Sequence, residues 1–455
     1  MSSHAGDMSD IQTQALVVGG GPLALLTALA LKKRGIEVVL AGEAPPSHAP
    51  LNRELMLIGG DEALAPLFQH SLQCWREADA RFGVNIPLTS MTACDLATSK
   101  GRIGKLHDEA MIDALGGEQV TYEETAPAWS PSLHGYKRWE DAPMLPLDIQ
   151  QILQKAVVDA GIPQQHMNPV ALSIVDLSHP QITLEDGSRF QAKYIVFTSA
   201  RALRRLLPPL GLALPLRPAR SHVLVMRTEQ PHGLPAILQR LQRGLLFMLP
   251  VDALHMNIHY DGMNDPAQAT FNVNPNNQLV KALQQHVGFL VPGLRQAMLV
   301  ACKTSQEWLT PDFLPALGPW SGLPGVLVGS GWGGRGTAYA AGAADVLAEF
   351  VEGMDAPANI QQLAPNRFAN GLWQVVRQPG CLNWQEPTPE IDNSMMMPKP
   401  EYMENVNMVE APKPQYADKV NQVEKVVVEN AGRREMKVKV KERRKITTAA
   451  LKSNS

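Results

Sequence analysis

The residues best suited to chemistry in this chain are glycines, and they occur in two short runs far apart. The first is Gly19-Gly20-Gly21-Pro22-Leu23-Ala24. Glycines spaced in this way bring backbone N–H groups close to a pyrophosphate at a helix N-terminus. Gly19 permits the tight turn, Gly21 admits the phosphates, and Ala24 at the third glycine position is small enough for close helix–strand packing. A dinucleotide site also wants a carboxylate after the second strand, to hold the ribose hydroxyls. Spacing puts Gly42 at that place, so Glu43 one residue later is the candidate. The second run is Gly331-Trp332-Gly333-Gly334-Arg335-Gly336-Thr337, with Trp332 placed to touch a ring or a substrate.

Each run needs an element on either side of it. Ala15–Val18 reads as a buried parallel strand and Leu23–Arg34 as an Ala/Leu helix closed by Lys32, Lys33, Arg34 and Gly35. Ile36–Leu40 is then a second strand, which completes a βαβ beginning. The second run reads the same way, with a strand over Gly325–Gly329 and a helix over Thr337–Phe350. Between them, Ile182–Phe197 reads as a hairpin and a buried strand, and Pro146–Gly161 as a helix. His255 and His259 fall in a strand whose alternation sets both on one face, where they line a pocket or cover a half-exposed sheet.

Thr310-Pro-Asp-Phe-Leu-Pro-Ala-Leu-Gly-Pro319, then an apolar strand and the second glycine run, resembles the closing signature of the D-amino-acid oxidase, glycine oxidase and sarcosine oxidase family. The resemblance spans about Gln14–Gly353. It implies an α/β fold: a Rossmann-like FAD-binding domain built from discontinuous segments, about 12–75, 147–210 and 300–353. An inserted α+β substrate domain on a mixed or antiparallel sheet would hold about 76–146 and 211–299. It further implies oxidation of the C–N bond of an amine or amino-acid-like substrate. Members that hold flavin covalently carry a cysteine where this chain has Ser305; Cys302 is three residues away, so non-covalent FAD is expected. Two departures stand out. Ser199 replaces a customary glycine, tolerable if its φ stays negative, and Glu307 stands where relatives place a carboxylate-binding arginine. Glu307 is then either a solvated loop residue or the mark of a cationic or secondary amine substrate, and Glu307, Trp332, His255 and His259 are the candidate substrate residues. No acid or base is singled out. An accessory flavoprotein with little turnover is the alternative reading.

Bulk properties fit this outline. The 455 residues include 45% hydrophobic ones, ample for more than one core, and the net charge of −3 does not suit polyanion binding, so no specific nucleic-acid partner is expected. Four scattered cysteines without a CxxC pair argue against zinc, a disulfide framework or a disulfide reductase. The polar N-terminus is unlike a secretory signal, and the apolar run Ile11–Leu31 is broken by glycines, so a cytoplasmic protein without a transmembrane segment is expected. From about Asn366 to 455 the composition becomes that of a disordered extension. Its end, Tyr416–Ser455, has eleven Lys/Arg against five Asp/Glu, a net +6 open to a protein or anionic partner.

Overall fold

The structure is a computed structural model that describes residues 11–42, 62–115, 119–174, 179–241, 244–260, 277–355 and 358–368. It opens with β1 (Ile11–Val18), α1 (Pro22–Lys33) and β2 (Val38–Ala41). Ala15–Val18 are wholly buried, as parallel strands covered on both faces must be. Pro22 starts α1, where its missing N–H costs nothing, and Gly35 in the left-handed region (φ 76°) follows its end. Next come α2 (Ala65–Arg76), α3 (Ala78–Phe82), β3 (Thr89–Ala97), α4 (Lys100–Leu115), β4 (Val120–Glu123) and β5 (Gly135–Met144). The chain returns through α5 (Ile149–Asp159), β6 (Gln164–Gln165), β7 (Pro169–Ser173), β8 (Gln181–Leu184), β9 (Arg189–Phe197) and α6 (Ala200–Leu206). It then makes β10 (Arg217–Arg227), β11 (Ala236–Leu241), β12 (Gly244–Pro250), β13 (His255–Tyr260), α7 (Asn277–Leu290) and β14 (Met298–Leu309). β15 (Ala316–Trp320), β16 (Leu323–Ser330) and α8 (Gly336–Val351) close it.

Two sheets result, as expected of a Rossmann-like domain with a second domain inserted. In the first, β15-β16-β9-β1-β2-β6 lie side by side, with β8 and β7 extending from β9, and β16, β9, β1, β2 and β6 run parallel. The second has the order β14-β10-β13-β12-β11-β3-β5-β4 and is antiparallel except between β11 and β3. One core lies between the first sheet and α1, α2, α5 and α8, and it takes in Phe247, Leu249 and Leu238 from the second sheet. A second core fills the other side of the first sheet under α6. A third lies between α7 and the far face of the second sheet. No described helix is long and apolar enough to cross a membrane.

Two boundaries differ from the sequence reading. β14 pairs with β10 from Arg217↔Leu309 to Arg227↔Met298, so residues up to Leu309 belong to the second sheet and the return to the first begins near Thr310, not 300. Composition could not show this, because a two-faced strand reads alike in either sheet. Asn366–Phe368, placed in the extension, are part of the fold: Phe368 is buried, and Arg367 forms an ion pair with Asp312. The remainder of the extension, 369–455, lies outside the described residues.

Candidate active site

The first glycine run joins three strand ends. Gly19 has φ 153°, and a Cβ there would lie 2.1 Å from Thr198 Oγ1, which donates to the Val18 carbonyl. Gly42 has φ 145°, and its Cβ would meet Gly19 backbone atoms at 3.1–3.3 Å. Only paired glycines let the ends of β1, β2 and β9 close together here. Gly21 is different: a Cβ there would meet nothing within 4 Å. It is the N-cap of α1 and makes no side-chain cap, so the first N–H groups of the helix have no side-chain partner. The carbonyl of Gly20 accepts from Gln150 Nε2 of α5 at 2.9 Å, which fixes the turn from the side. Leu23 and Ala24 are buried behind it. Ser199 keeps φ at −91°, the condition for tolerating it, and its hydroxyl caps α6 by accepting from Ala202 N. Glu43 lies outside the described residues.

The second run carries the chain from β16 into α8. Gly333 N donates to the Trp308 carbonyl, and Leu309 bridges to Trp332, so the end of β14 is laced to the turn. A Cβ on Gly333 would lie 2.3 Å from Leu309 Cδ2, which demands glycine. Gly331, Gly334 and Gly336 complete the turn, and Thr337 is buried in the first turn of α8. Trp332 is half-buried and also has protein partners. Its Nε1 donates to the Gly329 carbonyl, and its ring stacks on Tyr339 with centroids 6.0 Å apart, so the indole braces α8. Arg335 is the N-cap of α8, and its Nη2 donates to the Phe313 carbonyl at 3.2 Å.

Phe313 belongs to the loop Thr310–Leu314 and is the one non-glycine with positive φ (62°) among the described residues. Buried Thr310 donates to the Leu314 carbonyl, and Asp312 accepts from Leu314 N and from Arg367. Burial opposes the Asp312 charge, but the hydrogen bond and charge of Arg367 outweigh it and hold the carboxyl below its ordinary range.

The second sheet presents one face to this region. Opposed residues of an antiparallel pair share a face. Register therefore puts Arg217, Ser221, His259, Phe247, Leu249, Leu309 and Glu307 on one side. Phe247 and Leu249 of that side enter the core that holds α1 and α8. Ser221 Oγ and His259 Nε2 are 2.6 Å apart and buried. Glu307 is half-buried. His255 shares the face of His259, as alternation predicts, but stands at the other end of β13, where Asp252 holds its Nδ1 at 2.9 Å. Cys302 lies on the opposite face to Glu307, opposed to Leu224, and burial raises its pKa.

One further cluster could be mistaken for a metal centre. His70, Cys74 and Asp345 offer donor atoms within 4.8 Å of one another. Asp345 already accepts from Arg34 at 2.8 Å and Arg81 at 2.7 Å, and burial together with Asp345 pushes the Cys74 thiol up to about 12. A protonated thiol and a carboxylate held by two guanidinium groups make an ion-pair knot, which ties α1, α2 and α3 to α8.

The residues at the two turns fit FAD. An uncapped helix N-terminus opens on clear space at Gly21, and α8 points a second uncapped N-terminus from the opposite end of the chain. The family described as FAD dependent oxidoreductase (DAO) matches residues 14–350. The chain belongs to this family. The oxidoreductase is 25% identical over 395 residues to the tRNA 5-methylaminomethyl-2-thiouridine biosynthesis bifunctional protein MnmC of Thiobacillus denitrificans, covering 80% of this chain and 61% of that protein. The protein of the same name from Hahella chejuensis is 27% identical over 196 residues, 41% of this chain and 30% of its own. The chain thus spans less than two thirds of these curated relatives. Among solved structures, glycine oxidase from Geobacillus kaustophilus superposes with a TM-score of 0.64 at 20% identity, covering 78% of this chain and 99% of that one. L-proline dehydrogenase from P. horikoshii gives 0.66 at 15% identity, covering 79% and 99%. The oxidoreductase shares their fold.

Sequence reasoning passed over Thr198, Gln150, Arg217, Phe313 and Arg367. Phe313 carried a signal, being an aromatic residue between Asp312 and Leu314 in a turn-like Thr-Pro-Asp run. The others act across long separations and leave no local trace.

Proposed function

We propose that the oxidoreductase oxidises the C–N bond of a small amine or amino-acid-like substrate, with FAD held non-covalently. The observation that carries this reading is the meeting of the second glycine turn with the face bearing Glu307, Ser221 and His259. When bound, FAD would supply the acceptor for a hydride from the carbon beside a neutral amine nitrogen, and the iminium product would hydrolyse in water. The chain does the positioning. The α1 N-terminus and Gly21 hold the pyrophosphate, the dipole of α8 and the Arg335 charge favour negative charge at the flavin ring, and Glu307 attracts a substrate ammonium. Ser221 orients the His259 ring on the same face. The placement of Cys302 on the opposite face supports non-covalent flavin. Purified protein given a panel of amines without oxygen should lose its yellow colour, and acid should release flavin into the supernatant. An unbleached holoprotein across primary, secondary and amino-acid amines would instead favour an accessory role.

A second reading comes from the curated relatives, whose name specifies a methylaminomethyl group, a secondary amine carried on a tRNA base. In that reading the substrate amine is attached to RNA, and the basic Tyr416–Ser455 segment is the element suited to a polyanion. Bleaching by modified tRNA, but not by free amines, would select it.

A further inference from the structure

The first glycine turn has to present N–H groups to an anion, and two of its own features work against that. Pro22 opens α1 and has no N–H to give, so the donors left at the helix start are those of Gly21, Leu23 and Ala24. The Gly20–Gly21 peptide joins two residues without Cβ, the kind of peptide most free to turn over. Planarity sets the C=O and the N–H of one peptide on opposite sides. A turned Gly20–Gly21 unit would offer a carbonyl where the Gly21 N–H should be, and would repel a phosphate.

The backbone holds both ends of this turn. Gly19 N donates to the Ala41 carbonyl at 2.8 Å, and the Gly21 carbonyl accepts from Leu25 N at 3.1 Å, the bond that starts α1. The peptide between them is held by a side chain, because Gln150 Nε2 donates to the Gly20 carbonyl at 2.9 Å. Gln150 is itself well anchored. It stands in the first turn of α5 beside Ile149 and one turn before Leu153, both wholly buried in the core that also takes in α1.

We infer that Gln150 is a positioning residue for the pyrophosphate of FAD: by taking the Gly20 carbonyl it turns the Gly21 N–H away from α5 and keeps it aimed for a phosphate oxygen. The inference rests on the fit of FAD to the first turn and not on which bond the flavin oxidises. An amide suits the task, since it donates without adding charge. A carboxylate of the same length could not donate, and it would repel the anion.

The test uses the full-length holoprotein and needs no turnover. On dilution, FAD partitions between bound and free, and the fluorescence of released flavin gives its affinity. ADP, which carries the pyrophosphate without the flavin ring, is then added to displace it. Gln150→Met keeps the length of the side chain and loses the donor. It should weaken FAD by about 30-fold, the size of one N–H bond to a charged group, and ADP by a similar factor. The melting temperature of the flavin-free chain should stay within about 3 °C of wild type. Gln150→Glu, ionised at about pH 8, should weaken both ligands at least as much, and it carries the same comparison if Gln150→Met does not fold. Unchanged FAD affinity, a loss for FAD that ADP does not share, or a lowered melting temperature that accompanies the loss in both variants would overturn the assignment and leave Gln150 a packing residue.

Discussion

Gly19 and Gly21 stand two residues apart and should fail in different ways when substituted. A side chain at Gly19 runs into Thr198 and a backbone whose φ is 153°, so Gly19→Val should not fold. Gly21 faces open space, so Gly21→Val should fold with wild-type circular dichroism and yet bind FAD at least about 100-fold more weakly. Flavin titration of the refolded apoprotein measures this directly; full occupancy would move the phosphates elsewhere. Arg335 can be argued in the same way. Removing its charge from the α8 N-terminus should lower the flavin reduction potential, measurable by dye equilibration in Arg335→Ala. At this scale the sequence was informative wherever geometry is local. The glycines, the small Ala24 and the negative φ required of Ser199 were all legible, though the cap that Ser199 makes was not. The bracing contacts of Trp332 were not, because its bond to Gly329 and its stacking on Tyr339 depend on a helix that coils back beside it.

Helix α8 carries a buried carboxylate that receives three helices. Arg34 follows α1, His70 belongs to α2 and Arg81 to α3, and all three hydrogen-bond to Asp345. Burial raises the Asp345 pKa, but the His70 hydrogen bond and the charges of Arg34 and Arg81 outweigh it, so the carboxyl lies below its ordinary 3.8. Because the folded value is depressed, this stabilisation is complete above the ordinary aspartate range and is lost as pH falls through the lowered value. Asp345→Asn should cost about 3 kcal/mol at neutral pH, since it leaves two guanidinium groups facing a neutral amide. Its melting temperature should fall less steeply than that of the wild type on acidification below about pH 4. Parallel slopes in the two proteins would show that another group governs acid unfolding. Element identity was largely readable from periodicity, and α1, α5, α8, β9 and β16 lie close to where the sequence puts them. The sheet that owns β14 was not readable. Strand partners are chosen by residues some eighty positions away, and so the pairing of Arg217 with Leu309 was equally hidden.

Across the whole molecule, the last described residues reach back to the site. Arg367 binds Asp312 through Nε and Nη2 and also donates to the Leu314 carbonyl, closing the loop that holds Phe313 and Thr310. Arg367→Ala should cost about 2 kcal/mol and speed FAD release from the holoprotein, because the loop packs on the second glycine turn. Unchanged stability and release would make Arg367 a surface ornament on a loop already fixed by Thr310. Composition left Asn366–Phe368 in the extension, since Arg367 and Phe368 are held by contacts that no local pattern encodes.

The parallel order β16-β9-β1 has a consequence for how the protein is made. β1 comes from residues 11–18, β9 from 189–197 and β16 from 323–330, yet they are neighbours. A ribosome that has released the first 300 residues has produced one glycine turn and neither β16 nor α8. The nascent chain must wait with an open sheet edge, and pairings this distant in sequence form slowly. A ligand that binds only the finished arrangement draws the last step forward by mass action. Cellular FAD supply should therefore influence how much of this protein escapes aggregation during synthesis, and not merely how much of it is active afterwards.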